Sequence, residues 1–583
     1  MDTPMDTTFE ETAALIRQHE VGRRAFIQTP YGARLICYAD LTATGRYLHF
    51  VEAWMRRVRP FYANTHTAVS STGRLMTQLR EEARSVIRKA TNAGPGDEVL
   101  FVGAGATAAV NKLVGLLGFR ISEPLERAYQ LSSHIPDDER PVVFIGPYEH
   151  HSNELPWVES VADVVEIALA DDGGLDLMDL ERRLHEHRDR PHKFGSFSAA
   201  SNVTGVLTDV AAVARLLHEA GAFAFFDYAA AGPYVPIDMH PGDRAARLDA
   251  VFLSTHKFIG GPNASGILIM NRELARSRTP ERPGGGTVAY VAGPGEVDYT
   301  DDLAEREEGG TPSIIGDVRA GTAFLVKEML GAEAIREHEI NLADVAVRRL
   351  ARHPRLHILG SVDQPRLAII SFNVEGLHHD LVSALLDHLF GIQSRAGCSC
   401  AGPYGHRLLD IDRARSERFR TQVHRGIEGI KPGWVRLTIP FYASTEDVNF
   451  MLEAVEFVAT HGESFIPCYE LNWSDGVWRH MESPAPDIPP IELTVDSLRE
   501  AANTFAAGDS AASEPESPIS DAEILAQRQR YMREAHAAAR TLADRWKRTP
   551  PEWTPPTGDP EIDDLTWFRF TSATSIPGGS ERV

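Results

Sequence analysis

Between residues 98 and 270 the chain repeats one pattern: a short apolar run, a loop, then an amphipathic helical stretch. Residues 98–102, 141–145, 164–167, 194–198, 222–226, 250–253 and 266–270 read as strands. Residues 107–118, 176–187 and 208–220 read as the helices between them. Strands that are apolar on both faces belong in a mostly parallel sheet covered by helices on each side. Ligands of such sheets bind at the carboxyl ends of the strands, so chemistry is expected in the loops that follow these runs.

At 583 residues the chain is too long for one ordinary domain. We expect an N-terminal segment over 1–60, a large α/β domain over 61–330, a smaller α+β domain over 331–465 and a C-terminal extension over 466–583. Ahead of the sheet, residues 9–26 read as a helix broken at 27–30, 34–38 as a short strand, and 46–58 and 71–91 as helices. The last of these stops before Gly94-Pro95-Gly96. Residues 317–352 are mostly helical. Strands at 366–373 and 434–438 with helices at 379–390 and 445–460 make the α+β unit. Pro484, Pro486, Pro489 and Pro490 open a linker, and 503–520, rich in Ala, Ser, Glu and Pro, reads as disordered. Residues 521–547 read as a lone helix with a modest apolar stripe, followed by a Pro-Trp-Pro stretch over 550–556.

A net charge of −23 argues against nucleic acid or an anionic membrane as partner. No run approaches the roughly 18 apolar residues of a membrane helix. The acidic start lacks the apolar core of a signal peptide. Four cysteines, Cys37, Cys398, Cys400 and Cys468, are too few for a disulfide scaffold. A cytoplasmic location is the expectation.

Several loops carry candidate chemistry. Lys257 follows the apolar run 250–253 in Ser254-Thr255-His256-Lys257, ahead of Gly260-Gly261-Pro262. A partly desolvated lysine there suits a Schiff base with an aldehyde, although a lysine after a strand is equally a surface residue. Gly103-Ala104-Gly105-Ala106-Thr107 opens a helix and can cradle a phosphate or simply pack closely. In Tyr148-Glu149-His150-His151 a histidine can stack on an aromatic ring; no third ligand at metal spacing accompanies the pair, so no metal is expected. Asn202, at a strand end, can bond a ring hydroxyl or form a turn. Asp227 closes the all-apolar run 222–226, where a carboxylate needs a cationic partner such as a protonated pyridine nitrogen. Arg395-Ala396-Gly397-Cys398-Ser399-Cys400 places two cysteines in a Gly-flanked loop beside an arginine, a reactive pair or two inert turn residues.

Taken in order, these motifs resemble the class V aminotransferase family of fold-type I pyridoxal-phosphate enzymes, above all its cysteine desulfurase and selenocysteine lyase branch, from about residue 35 to about residue 460. The resemblance implies pyridoxal 5′-phosphate as cofactor, held by Lys257 as an internal aldimine. It implies that His150 stacks on the ring, Asp227 pairs with the ring nitrogen and Asn202 lies near the ring hydroxyl. Thr107, Ser254 and His256 would bind the phosphate, with Thr311 of Glu308-Gly309-Gly310-Thr311-Pro312 reaching across a homodimer. Arg436 would grip the carboxylate of a small amino-acid substrate, with Arg395 as a second active-site arginine. Cys400 falls on the catalytic cysteine, which takes sulfur from L-cysteine as a persulfide, leaves alanine and can serve a sulfur-acceptor protein. Two positions depart from the pattern: Ala230 stands where the family has a glutamine, and Cys398 and Ser399 stand where histidines are usual. The alternative within the family is an aminotransferase, lyase or epimerase of specialised metabolism, with the cysteine loop non-catalytic.

Overall fold

The doubly apolar runs form one seven-stranded sheet: β1 (Asp97–Val102), β2 (Val142–Ile145), β3 (Asp163–Glu166), β4 (Lys193–Ser198), β5 (Phe223–Asp227), β6 (Ala250–Leu253) and β7 (Gly266–Asn271). The computed structural model describes residues 8–65, 67, 69–293, 295–482, 491–506 and 519–571. Strand order across the sheet is β1-β7-β6-β5-β4-β2-β3. β2 to β6 run parallel, and β7 is antiparallel to both of its neighbours. The sheet is therefore mostly parallel, as the patterning predicts.

Successive residues of one strand point to opposite faces, and the burial follows that rule. Val251 and Leu253 enter one hydrophobic core with Phe226 and Ile267. Ala250 and Phe252 enter a second core with Phe225 and Leu268. Helix α1 (Gly105–Leu116), which follows β1, covers the second face through Ala109, Val110 and Leu113. Helix Val210–Glu219 covers the first through Val213 and Leu217. The parallel register sets Asp227 opposite Phe252. Lys257, in the short turn Thr255–Lys257 after β6, thus leaves the same carboxyl edge. Gly261 closes that turn: a Cβ there would lie 2.1 Å from the Thr255 carbonyl oxygen, a spacing no side chain tolerates.

The second sheet is antiparallel: β8 (Leu356–Ile358), β9 (Ile369–Val374), β10 (Arg395–Gly397) and β11 (Trp434–Thr438), in the order β8-β9-β11-β10. Helices α2 (His379–Phe390) and α3 (Thr445–His461) build its core with Phe372, Leu385, Phe390, Val455 and Val458. The helical stretch expected at 317–352 is two helices, Ile314–Leu330 and Ala332–Leu350, parted at Gly331, whose φ is +83°.

The N-terminal helix is shorter than the reading to residue 26. It spans Phe9–His19, and Phe26–Thr29 pairs with Gly32–Leu35 as a hairpin. The helix yields because Gly22 takes a φ of +93°, and the run to Thr29 then pairs across the Pro30-Tyr31 turn. The hairpin leads to Cys37–Tyr38, which pairs in parallel with Ile392–Gln393 just before β10. An exposed hairpin, Val288–Gly293 with Glu296–Tyr299, went unread.

The helix expected alone at 521–547 is α4 (Asp521–Arg548), and it is docked. It opens with a capping box in which Ser520 and Glu523 satisfy one another's backbone N–H groups. Ile524, Tyr531, Ala535 and Ala539 are buried in the core of the second sheet, joined by Ile562, Leu565, Phe568 and Phe570. The Tyr531 hydroxyl accepts the Leu35 N–H at 3.1 Å, and the Arg34 guanidinium lies 4.5 Å over the Tyr531 ring. Asp447 on α3 pairs with Arg528 of α4 and, at 3.2 Å, with Arg23. Against the upward push of burial, these two arginines hold the Asp447 carboxyl far below the usual range. Of the stretch expected to be disordered, residues up to Ala506 belong to helix Val495–Ala506, while 507–518 and the prolines at 484–490 lie outside the described residues. No described helix is long and apolar enough to cross a membrane.

The docking of α4 can be measured. Tyr531→Ala should destabilise the protein by about 3–5 kcal/mol, a large aromatic-to-alanine loss. Tyr531→Phe should cost only about 1–2 kcal/mol, the penalty of stranding the buried Leu35 N–H. Equal denaturation midpoints for wild type and Tyr531→Ala would show that α4 does not stabilise the second sheet.

Candidate active site

One cavity of about 560 Å³ opens at the carboxyl edge of the main sheet. Thr107, His150, Asn202, Asp227, Ser254, His256, Lys257, Arg395, Cys400 and Arg436 all line it. Thr311 does not; it is exposed and bonded by the Asn64 amide at 3.2 Å.

At one end the cavity meets the N-terminus of α1. Gly105 has a φ of +58°, and a Cβ there would lie 2.6 Å from Ser254 Oγ, so the loop after β1 needs glycine to approach the loop after β6. Ser254 Oγ accepts the Ala106 N–H at 2.9 Å. The Thr107 and Ser152 hydroxyls share a hydrogen bond of 2.7 Å. Burial, then the Lys257 charge, lowers the His256 pKa to about 4, so its ring is neutral. Hydroxyls, a neutral imidazole and a helix N-terminus form a cradle for an anion.

At the centre, Asp227 is buried and accepts the Ala229 N–H at 2.7 Å. Burial raises its pKa, offset in part by that hydrogen bond and by Lys257. The Lys257 pKa falls to about 8, chiefly through burial, with Asp227 opposing. His150 caps helix His151–Val158, its Nδ1 accepting the Ser152 N–H at 3.0 Å. Burial, then Lys257, lowers its pKa to about 4. Behind it, Glu149 is raised to about 7 by burial, although the Ser198 hydroxyl at 2.6 Å and the Asn153 amide at 2.7 Å both donate to it. Asn202 gives its amide N–H to the Ser399 carbonyl at 2.8 Å, while its buried Oδ1 has no partner among the described residues.

At the far end, register sets Arg395 of β10 directly opposite Arg436 of β11. Asp40 lies between them and accepts from Arg395 Nε at 2.9 Å and from Arg436 Nη2 at 2.8 Å. Arg436 Nη1 also reaches the Asn202 carbonyl at 3.0 Å. Burial lowers the Arg436 pKa, with Asp40 opposing. Asp40 is a site residue that our reading missed. Its signal was an acid at the end of a short strand, as at Asp227.

The cysteine loop borders this end. The Ala401 N–H donates to the Cys398 carbonyl at 3.2 Å, closing a turn whose central residues, Ser399 and Cys400, have φ of +52° and +55°. Cys400 is exposed and Cys398 half-buried. His151, weighed only as a metal ligand, instead braces the loop: its N–H donates to the Cys400 carbonyl at 3.0 Å, and its Nε2 accepts the Gly402 N–H at 3.1 Å. The one grouping of metal-ligand side chains among the described residues, His378, His379 and Asp380, sits at the start of α2, away from the cavity lining.

The cavity thus holds an anion cradle, a buried carboxyl short of a cation, an orphaned amide oxygen, an amine of lowered pKa and two arginines. Its residues fit a phosphorylated aromatic aldehyde together with a small carboxylate-bearing substrate.

Comparison with known proteins bears on the family and the fold. The aminotransferase class-V family model matches residues 37–451. A probable cysteine desulfurase of Halalkalibacterium halodurans is 29% identical over 404 residues, covering 68% of this chain and 92% of the relative. A probable cysteine desulfurase of Streptomyces coelicolor is 30% identical over 378 residues, covering 64% of this chain and 84% of the relative. The apo structure of a cysteine desulfurase from Thermococcus onnurineus has a TM-score of 0.59 at 25% identity, covering 73% of this chain and 95% of that one. A cysteine desulfurase structure from Escherichia coli, at a TM-score of 0.57 and 21% identity over 72% of this chain and 93% of that one, shares the fold. The family match ends well before α4. With its fold-type I architecture and a match over most of its length, the chain belongs to the class V aminotransferase family of pyridoxal-phosphate-dependent enzymes.

Proposed function

We propose that this enzyme cleaves the C–S bond of L-cysteine or a related amino acid, with Cys400 as the sulfur-accepting nucleophile and alanine as product. The observation that carries the reading is that Cys400 shares one cavity with Lys257 and Arg436. The names of the relatives support it.

Pyridoxal 5′-phosphate, bound here, supplies an aldehyde for amines and a ring that accepts electrons released at the substrate α-carbon. Thr107, Ser254, His256 and the first N–H groups of α1 would hold its phosphate. His150, neutral, would stack on the ring. Asp227 would keep a proton on the ring nitrogen and so gain the cation that its burial demands. Asn202 Oδ1 would accept from the ring hydroxyl, with Ala230 offering no second contact. Arg436 binds the substrate carboxylate and so fixes the orientation of the α-carbon; Arg395 stands beside it. Lys257 would have two tasks: its amine would anchor the cofactor, and it would carry the α-proton. The Cys400 thiolate attacks the substrate sulfur. The C–S bond breaks toward carbon, and a persulfide remains on Cys400, ready for an acceptor protein. We include a homodimer in the proposal, with Thr311 reaching the phosphate held by the second copy.

Three outcomes test these roles. Cys400→Ala should keep the cofactor's absorption band and make no alanine or sulfide from L-cysteine; alanine production at the wild-type rate would favour a transaminase or lyase with a passive cysteine loop. Arg436→Gln should raise KM for L-cysteine by about 10²–10³-fold while the band persists, the effect of losing a buried carboxylate partner. In the cofactor-free protein, acylation of Lys257 by a small reagent, followed by peptide mass, should accelerate as pH rises through about 8, because only the neutral amine reacts and burial favours it. A midpoint near that of exposed lysines would refute the desolvated amine.

A further inference from the structure

The turn that presents Cys400 contains a second cysteine at its first position. Cys398 contributes the carbonyl that closes the turn with the Ala401 N–H, and Cys400 sits two residues on, at a φ of +55°. In a β-turn, Cα atoms three residues apart lie within about 7 Å. Two residues apart along the same turn, the cysteines fall in the roughly 4.4–6.8 Å range that a disulfide spans. The backbone between them is held: Asn202 bonds the Ser399 carbonyl at 2.8 Å, and the His151 N–H bonds the Cys400 carbonyl at 3.0 Å. Approach of the two sulfurs is then a matter of side-chain rotation. Cys400 faces the cavity, while Cys398 packs half-buried beside Tyr148, Tyr404 and Trp434. The other cysteines differ. Burial pushes the Cys37 thiol up, and burial likewise raises Cys468, which makes both poor nucleophiles.

We propose that Cys398 is the resolving nucleophile of this site, which lets the enzyme release sulfide without an acceptor protein. The inference rests on the persulfide reading above. The Cys398 thiolate attacks Cys400 Sγ of the persulfide. The Cys398–Cys400 disulfide forms as the bond between Cys400 Sγ and its outer sulfur breaks. That sulfur leaves with the bonding electron pair as hydrosulfide and takes up the proton that Cys398 lost. The outer sulfur is reduced and the two cysteine sulfurs are oxidised, so no other reactant enters. A low-molecular-weight thiol, two molecules per turnover, restores the dithiol and is itself oxidised to a disulfide. A disulfide closed across so short a loop is exposed and readily reduced, as turnover requires.

The experiment is a single turnover of the full-length holoenzyme with sub-stoichiometric L-cysteine and no added reductant, quenched with a thiol-alkylating reagent and mapped by peptide mass. The wild type should release one sulfide per alanine, and the peptide carrying both cysteines should lose two hydrogens. Cys398→Ser should instead retain the sulfur on Cys400, with free sulfide per alanine falling roughly tenfold. Alanine accompanied by a lasting persulfide on wild-type Cys400 and no disulfide would overturn the inference and leave the desulfurase reading standing. If no alanine forms, the desulfurase reading fails instead. Loading the wild type with inorganic polysulfide then decides the pair directly: a 398–400 disulfide supports the resolving role, and a persistent persulfide on Cys400 overturns it.

Discussion

Two guanidinium groups face one another across adjacent antiparallel strands, and the site depends on how that repulsion is relieved. Like charges at directly opposed positions of a sheet are destabilising. Arg395 and Arg436 occupy such positions, and the Asp40 carboxylate that binds both removes the conflict. Asp40 must come from a distant part of the chain. A two-residue parallel pairing, Cys37–Tyr38 with Ile392–Gln393, carries it there. The hairpin before that pairing is held in turn by Tyr531 of α4. From Arg436 the network continues through the Asn202 carbonyl to the Ser399 carbonyl, so the second sheet, the main sheet and the cysteine loop share one set of hydrogen bonds.

The main sheet answers a different demand. Asp227 is buried and Lys257 half-buried in a cavity that also holds two neutral histidines. A carboxyl raised by burial and an amine lowered by burial each sit closer to neutrality than in water. Parallel neighbours β5 and β6 deliver them to one edge. The glycines at 105 and 261 let the flanking loops come close enough to enclose them.

Much of this was legible because it is local. Continuous apolar runs located the strands to within a residue or two, and residues at strand ends, among them Asp227 and Lys257, were found by position and type. An apolar run carries no direction, however, so the antiparallel sense of β7 was not readable. The docking of α4 was missed because half of its buried stripe is alanine, Ala535 and Ala539, which patterning cannot tell from a solvated helix face. Asp40 and His151 were missed for another reason. Their partners lie 355 and 251 residues away, and only the register of β10 on β11 and the seat of the cysteine turn bring them together. Thr311 matched a motif that the resemblance assigns to contact with a second copy, and it stands outside the cavity lining.

The seating of α4 also sets an order of assembly. Among the described residues, the two cores flanking the main sheet draw none from beyond Tyr442. The core of the second sheet includes Tyr531, Leu565 and Phe570. During synthesis from the N-terminus, the main sheet can close while the second still lacks part of its interior. Phe372, Leu385 and Val455 must wait, partly uncovered, until the segment from Ile524 to Phe570 has emerged, the interval in which such intermediates are open to aggregation. The arginine pair is completed only within that sheet, so the arginine end of the cavity matures after the main sheet.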